Sequence, residues 1–106
     1  MSEVEETLQR IKSHKSVQGI IIVNNEGTTI RSTYQGERKD EGDIIAKNVH
    51  QLALKAKSLI RDLEPVNVLS FLRIKSKLYE IMVAPDKEFM LIVIQGPKGD
   101  KKDENE

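Results

Sequence analysis

The apolar positions of this chain repeat with two periods. From Asp40 to Leu63, the residues Ile45, Val49, Leu52, Ala56, Leu59 and Leu63 recur at steps of four and three, and Ala53 and Ile60 broaden the seam. That spacing predicts a long helix laid on a core. Asp40, Glu41 and Asp43 open it, while Lys55, Lys57 and Arg61 crowd its second half, a polarity that suits the helix dipole. Pro65 disfavours helix at Glu64 and marks the stop. Elsewhere the pattern is strand-like. Val17–Val23 is apolar on both sides of the pleat and predicts a strand covered on both faces, with Gly19 leaving room for a close neighbour. Asn24-Asn25-Glu26-Gly27 is a hairpin signal, and the return strand, Thr28–Tyr34, is polar apart from Ile30 and Tyr34. Past Pro65 come three strands, Val66–Ile74, Leu78–Ala84 and Phe89–Ile94, separated by Lys75-Ser76-Lys77 and Pro85-Asp86-Lys87.

A shorter helix is predicted for Ser2–Ser13, with Ser2 and Glu5 at capping-box spacing and Val4, Thr7, Leu8 and Ile11 on one face. The class is therefore α+β with element order α-β-β-α-β-β-β. The first and fifth strands are the most apolar on both sides, which puts them together in the middle of an antiparallel sheet of order 2-1-5-4-3. The long helix then crosses one face and the first helix covers the other. Residues 1–97 form one domain. The stretch Gly96–Glu106 carries seven charges in eleven residues and no apolar anchor, so 98–106 reads as a disordered tail.

The two edge strands of that sheet differ. The second is rich in Thr28, Thr29, Arg31, Ser32 and Thr33, as a solvated edge should be. The third offers Val66, Val68, Leu69, Phe71, Leu72 and Ile74, with no charge before Arg73. A bare apolar edge invites another chain. The simplest closed solution is a two-fold dimer in which the third strand pairs with its own copy, merging two sheets into one of ten strands. Leu54, set off the core stripe beside His50 and Lys57, is either a stray exposed leucine or a contact to a sister helix or partner.

Composition narrows the function classes. Seventeen Lys and Arg balance seventeen Asp and Glu, so nothing pulls the chain globally towards nucleic acid or acidic lipid. There is no cysteine, hence no disulfide and no thiolate metal site. The acidic start MSEVEETLQR is unlike a secretory signal and no apolar run is long enough for a membrane span, so a soluble intracellular domain is expected. His14 and His50 read as surface histidines without metal-ligand spacing, and the glycines form no phosphate cradle. Arg73, Lys75 and Lys77 read as a solvated turn. Neither catalysis nor a cofactor is expected.

EVEETLQRIKSHKSVQGIIIVNNEGTTIRST and KAKSLIRDLEPVNVLSFLRIKSKLYEIMVAPDKEFMLIVIQGP, above all the pieces VNNEG, FLRIKSK and EIMVAPDK, closely resemble roadblock-type dynein light chains over residues 3 to 97. GERKDEGD at Gly36–Asp43 departs from the pattern. The resemblance implies a cytoplasmic, microtubule-associated accessory subunit of dynein, in the cell body or the cilium. Such a subunit forms homodimers through the third strand and the long helix, binds the dynein intermediate chain, and supports motor assembly and cargo attachment. The alternative within the same superfamily is a scaffold or regulator of a small GTPase. On this reading the dimer interface comprises Val68, Leu69, Ser70, Phe71 and Leu72 with Gln51, Leu54 and Lys55. Partner contacts fall to Val49, His50, Leu54 and Lys57, although Val49 also belongs to the core stripe.

Overall fold

The computed structural model describes residues 16–96 together with Glu6, Gln9 and Arg10, which are helical and exposed. The rest of the predicted first helix, its placement on the sheet, and the tail 98–106 lie outside the described residues. The elements are β1 (Val17–Asn24), β2 (Thr29–Ser32), a single 3-10 turn at Gly36–Arg38, α1 (Lys39–Leu63), β3 (Leu72–Lys75), β4 (Glu80–Pro85) and β5 (Phe89–Gln95). All five strands join one antiparallel sheet in the order β2-β1-β5-β4-β3, the order that strand hydropathy predicts.

Strand register builds the core in rows. Ile21 lies opposite Ile92, Ile92 opposite Val83 and Val83 opposite Leu72, so one row crosses four strands under the helix. Ala46, Val49 and Ala53 of α1 close over this face together with Tyr34. Ile20 and Ile22 point the other way and are equally buried, with Val17, Phe89 and Leu91 packed beside them. A central strand buried on both faces explains the unbroken Ile-Ile-Ile-Val run.

Two glycines set how closely α1 approaches. The ring of Tyr34 lies where a side chain on Gly19 would be, and Gly42 of α1 rests on the Cβ of Tyr34. Gly19 thus admits a tyrosine, which in turn supports the helix. The guanidinium of Arg38 stands 4.9 Å from the centre of the same ring. Asn24 organises the β1–β2 turn: its side-chain oxygen accepts hydrogen bonds from the amides of Glu26 and Thr28, both at 2.9 Å, and Gly27 takes the left-handed backbone (φ 89°).

The sequence reading fails in two places. The predicted third strand, Val66–Ile74, is a four-residue strand preceded by an open segment, so Val68, Leu69, Ser70 and Phe71 lie before β3 and only Leu72 lies in it. The register explains this. Continuing the ladder from Leu72–Val83 brings Ser70 opposite Pro85, which has no amide to donate, and beyond it the β4–β5 turn begins. Upstream, Asn67 closes a turn on Glu64, its amide 2.8 Å from that carbonyl oxygen. The second failure is the helix stripe. Leu52, Leu59 and Leu63 are exposed, and the buried face is Gly42, Ala46, Val49, His50 and Ala53. The apolar arc is wider than the sheet can cover.

Candidate interaction surface

The uncovered apolar arc has a definite place. Ile45, Leu52 and Leu59 recur every seven residues and so form one row along α1. Ile45 borders a cavity lined also by Gln18, Tyr34, Tyr79, Ile81 and Ile94, so the row begins at the end of the sheet that holds the β3–β4 turn. Leu59 is 57% exposed and Leu63 72%. The chain then turns, and Val66 (91%) and Val68 (78%) are exposed in the segment that leads to β3, an edge strand of the sheet among the described residues. Leu69 and Leu72 are half-buried, Ser70 and Phe71 exposed. Phe71 faces the second side of the sheet, bordering an apolar cavity of about 320 Å³ lined also by Met82, Ala84, Leu91 and Val93. Arg73 stands 5.7 Å from the Phe71 ring and pairs with Glu80 at 2.8 Å, so it is engaged within its own hairpin.

The predicted helix residues divide differently from expectation. Gln51, Leu54 and Lys55 are exposed, but at 100° per residue Leu54 lies about 160° around the helix from Leu52. It therefore does not share the row of Ile45, Leu52 and Leu59. Val49 is core, 5% exposed, and unavailable to a partner. His50 is not a surface histidine. It is 8% exposed, packed under the β1–β2 turn with Nε2 3.2 Å from the carbonyl oxygen of Asn25, and Gly27 leaves space for its ring. Asn25 in turn donates to the carbonyl of Lys87, tying both turns together. Lys57 is half-buried at the rim of the core. Leu52, Leu59 and Leu63, which sequence reasoning assigned to the core, are the surface residues it missed. Their signal was the width of the arc, since a helix resting on one sheet needs a stripe of little more than 100°.

Charge is sorted along the same helix. At its start Arg38 pairs with Glu41 at 3.1 Å and Lys39 with Asp43 at 3.0 Å. The hydrogen bond from Arg38 holds the Glu41 carboxyl below its ordinary range, and Asp43 likewise raises Lys39. From Ile44 to Arg61 there is no carboxylate at all, only Lys47, Lys55, Lys57 and Arg61. Among the described residues no group of three or more His, Cys, Asp or Glu is placed to hold a metal ion, and no helix is long and apolar enough to cross a membrane.

Residues 3–96 match the family model of the Roadblock/LC7 domain. The chain belongs to the Roadblock/LC7 domain family. Solved roadblock-type structures share its fold. The Roadblock/LC7 domain from Streptomyces avermitilis superposes with a TM-score of 0.73 at 12% identity, covering 84% of this chain and 73% of that one. The gliding protein MglB from Thermus thermophilus gives 0.69 at 11%, covering 87% and 70%. Myxococcus xanthus MglB gives 0.68 at 16%, covering 82% and 70%. At these identities the likeness attests the architecture of the roadblock chain, a five-stranded sheet crossed by one long helix.

Proposed function

We propose that this roadblock chain is a non-catalytic adaptor that pairs with a second copy of itself and presents the pair to a partner protein. The observation that carries the proposal is the set of exposed apolar residues Leu52, Leu59, Leu63, Val66 and Val68 leading along the chain to β3, an edge strand of the sheet among the described residues. Large exposed apolar strips beside an open edge are what an interface looks like before it closes. A two-fold axis beside β3 lets strip meet strip and edge meet edge, giving a ten-stranded sheet with two helices side by side.

For the partner, the blocks VNNEG, FLRIKSK and EIMVAPDK support an accessory light chain of cytoplasmic or ciliary dynein, bound to the intermediate chain and serving motor assembly and cargo attachment on microtubules. A second reading is a scaffold or regulator of a small GTPase. The fold neighbours favour it, since two of those compared above are MglB proteins and none is a dynein chain. One experiment separates these. Val68→Arg places a charge in the strip at a site exposed in the single chain, so folding should survive. Wild type should elute as a dimer and capture the intermediate chain from cytosol, while Val68→Arg should be a folded monomer that captures little. Capture of a GTPase in one nucleotide state only, with no intermediate chain, would select the second reading. A monomeric wild type at micromolar concentration would remove both.

A further inference from the structure

The β3–β4 turn, Lys75-Ser76-Lys77, is the basic stretch that self-pairing leaves unused. Its backbone is pinned. The Ser76 amide donates to the carbonyl oxygen of Tyr79 at 2.9 Å, the Ser76 Oγ donates to the same oxygen at 2.8 Å, and the Tyr79 amide donates to that Oγ at 3.2 Å. Lys75 and Lys77, both exposed, flank this lock and border one cavity of about 330 Å³ that reaches across to Gln95 and Gly96 at the end of β5. Glu80 also borders the cavity and lies opposite Lys75 in the strand register. Directly opposite residues of unlike charge are favoured partners. Here the carboxylate goes to the diagonal neighbour instead, with Arg73 Nε 2.8 Å away. Lys75 and Lys77 enter no ion pair among the described residues. Arg73 thus engages the carboxylate that lines the cavity and leaves two lysines there unneutralised.

We infer that this cavity binds a phosphomonoester, carried on a phosphorylated serine or threonine in a segment of a partner protein, with Lys75 and Lys77 as its two cations. The inference rests on the adaptor reading only in supposing a partner. Phosphate matches better than a carboxylate, because it brings a charge of about −1.5 to −2 and three acceptor oxygens. A single carboxylate would leave one lysine unmatched. Each ammonium carries three donors on a flexible stem, which suits a rounded anion. A peptide matches better than free phosphate, because exposed Leu78 (65%) and Tyr79 (46%) stand on the rim and offer apolar contact to the residues that flank the phosphate. An acidic lipid surface is the poorer match. Tyr79 also borders the cavity that holds Glu41, and a broad anionic sheet would meet that carboxylate, with Asp40 and Asp43 beside it in the chain.

The test uses the full chain and a short fluorescein-labelled peptide of Ala and Leu with one central phosphoserine, alongside the same peptide with serine. In fluorescence anisotropy the phosphopeptide should bind wild type, more weakly as salt rises, and the serine peptide should not. Lys75→Gln/Lys77→Gln should bind it about tenfold more weakly, each exposed pair contributing modestly. Arg73 is a positioning residue, and a double-mutant cycle shows it. Arg73→Gln frees Glu80 to pair with Lys75, so it should weaken binding about fivefold in the wild-type background and hardly at all in Glu80→Gln. A mere change of net charge would act equally in both. Light scattering should show Lys75→Gln/Lys77→Gln still dimeric, so failure here is distinct from failure of self-pairing. Equal binding of the two peptides, or no effect of the lysine substitutions, would overturn the inference. Inorganic phosphate displacing the peptide at equal concentration would overturn the peptide ligand. Phosphatidylserine vesicles bound through the two lysines, with no phosphopeptide binding, would overturn it in favour of a membrane. Phosphopeptide binding seen only in Asp100→Asn/Asp103→Asn/Glu104→Gln would overturn it in favour of the chain's own acidic residues.

Discussion

Gly42 shows how two opposed effects are decided at the scale of one residue. Within a helix, alanine is favoured over glycine by about 1 kcal/mol. Here an added Cβ would stand 2.6 Å from the Cβ of Tyr34, an atom fixed to the backbone of a buried residue. Relieving it means moving α1 or Tyr34, and such overpacking costs about 1–3 kcal/mol. Gly42→Ala should therefore lower stability by about 1 kcal/mol, read as a lower urea midpoint at unchanged slope. Tyr34 itself links stability to alkaline pH. Burial first, and Glu41 second, push its hydroxyl above the ordinary 10.0, with Arg38 opposing. In the unfolded chain the phenol ionises near 10 while the folded chain keeps its proton. The stabilisation is thus complete below that pH and is lost as pH rises through the folded value. Between pH 9 and 11 the urea midpoint of wild type should fall more steeply than that of Tyr34→Phe; parallel curves would refute the linkage. None of this was legible in the sequence beyond the presence of Gly19. The Gly19–Tyr34–Gly42 stack joins three elements, and residue spacing carries no mark of it. His50 was misread for the same reason, since its cover comes from a turn 25 residues away.

At the scale of elements, periodicity was reliable where one element met one neighbour. The long helix is found at Lys39–Leu63 against a predicted Asp40–Leu63, because its dipole-matched ends and Pro65 are local signals. β1, β4 and β5 lie within a residue or two of prediction. β3 was drawn too long because hydropathy reports what a segment would bury and not whether its neighbour strand can continue, and Pro85 stops it. The helix stripe predicts one face where the structure has two adjoining ones, a core side and an exposed side. Substitutions should separate them. Ala53 is wholly buried beneath the sheet row, so Ala53→Asp strands a charge in the core and should unfold the domain, costing several kcal/mol. Leu52→Glu/Leu59→Glu changes residues exposed in the single chain and should leave circular dichroism native while abolishing the dimer. If that double variant unfolds instead, the strip is core after all.

For the molecule as a whole, the sheet order was legible because two-sided hydropathy ranks strands by centrality and short connections leave few alternatives. The proposed self-pairing rests on what the single chain leaves uncovered, and it would make stability depend on concentration. If folding and pairing are linked, each tenfold rise in protein adds about 1.4 kcal/mol per dimer. Shared between two chains of this size, that raises the melting temperature by roughly 3 °C per decade. The dependence should vanish in Leu52→Glu/Leu59→Glu, whose fold does not need the strip. Hydrogen exchange gives the local counterpart. The amides of Leu69 to Phe71 lie in the open segment before β3, and pairing across a two-fold axis would convert alternate ones into ladder donors. They should exchange slowly at high concentration and rapidly on dilution, while Ile21, in β1 between β2 and β5, and Ile92, in β5 between β1 and β4, stay protected throughout. Protection of that segment at every concentration would mean the edge is covered from within the chain, and the self-pairing adaptor would lose its interface.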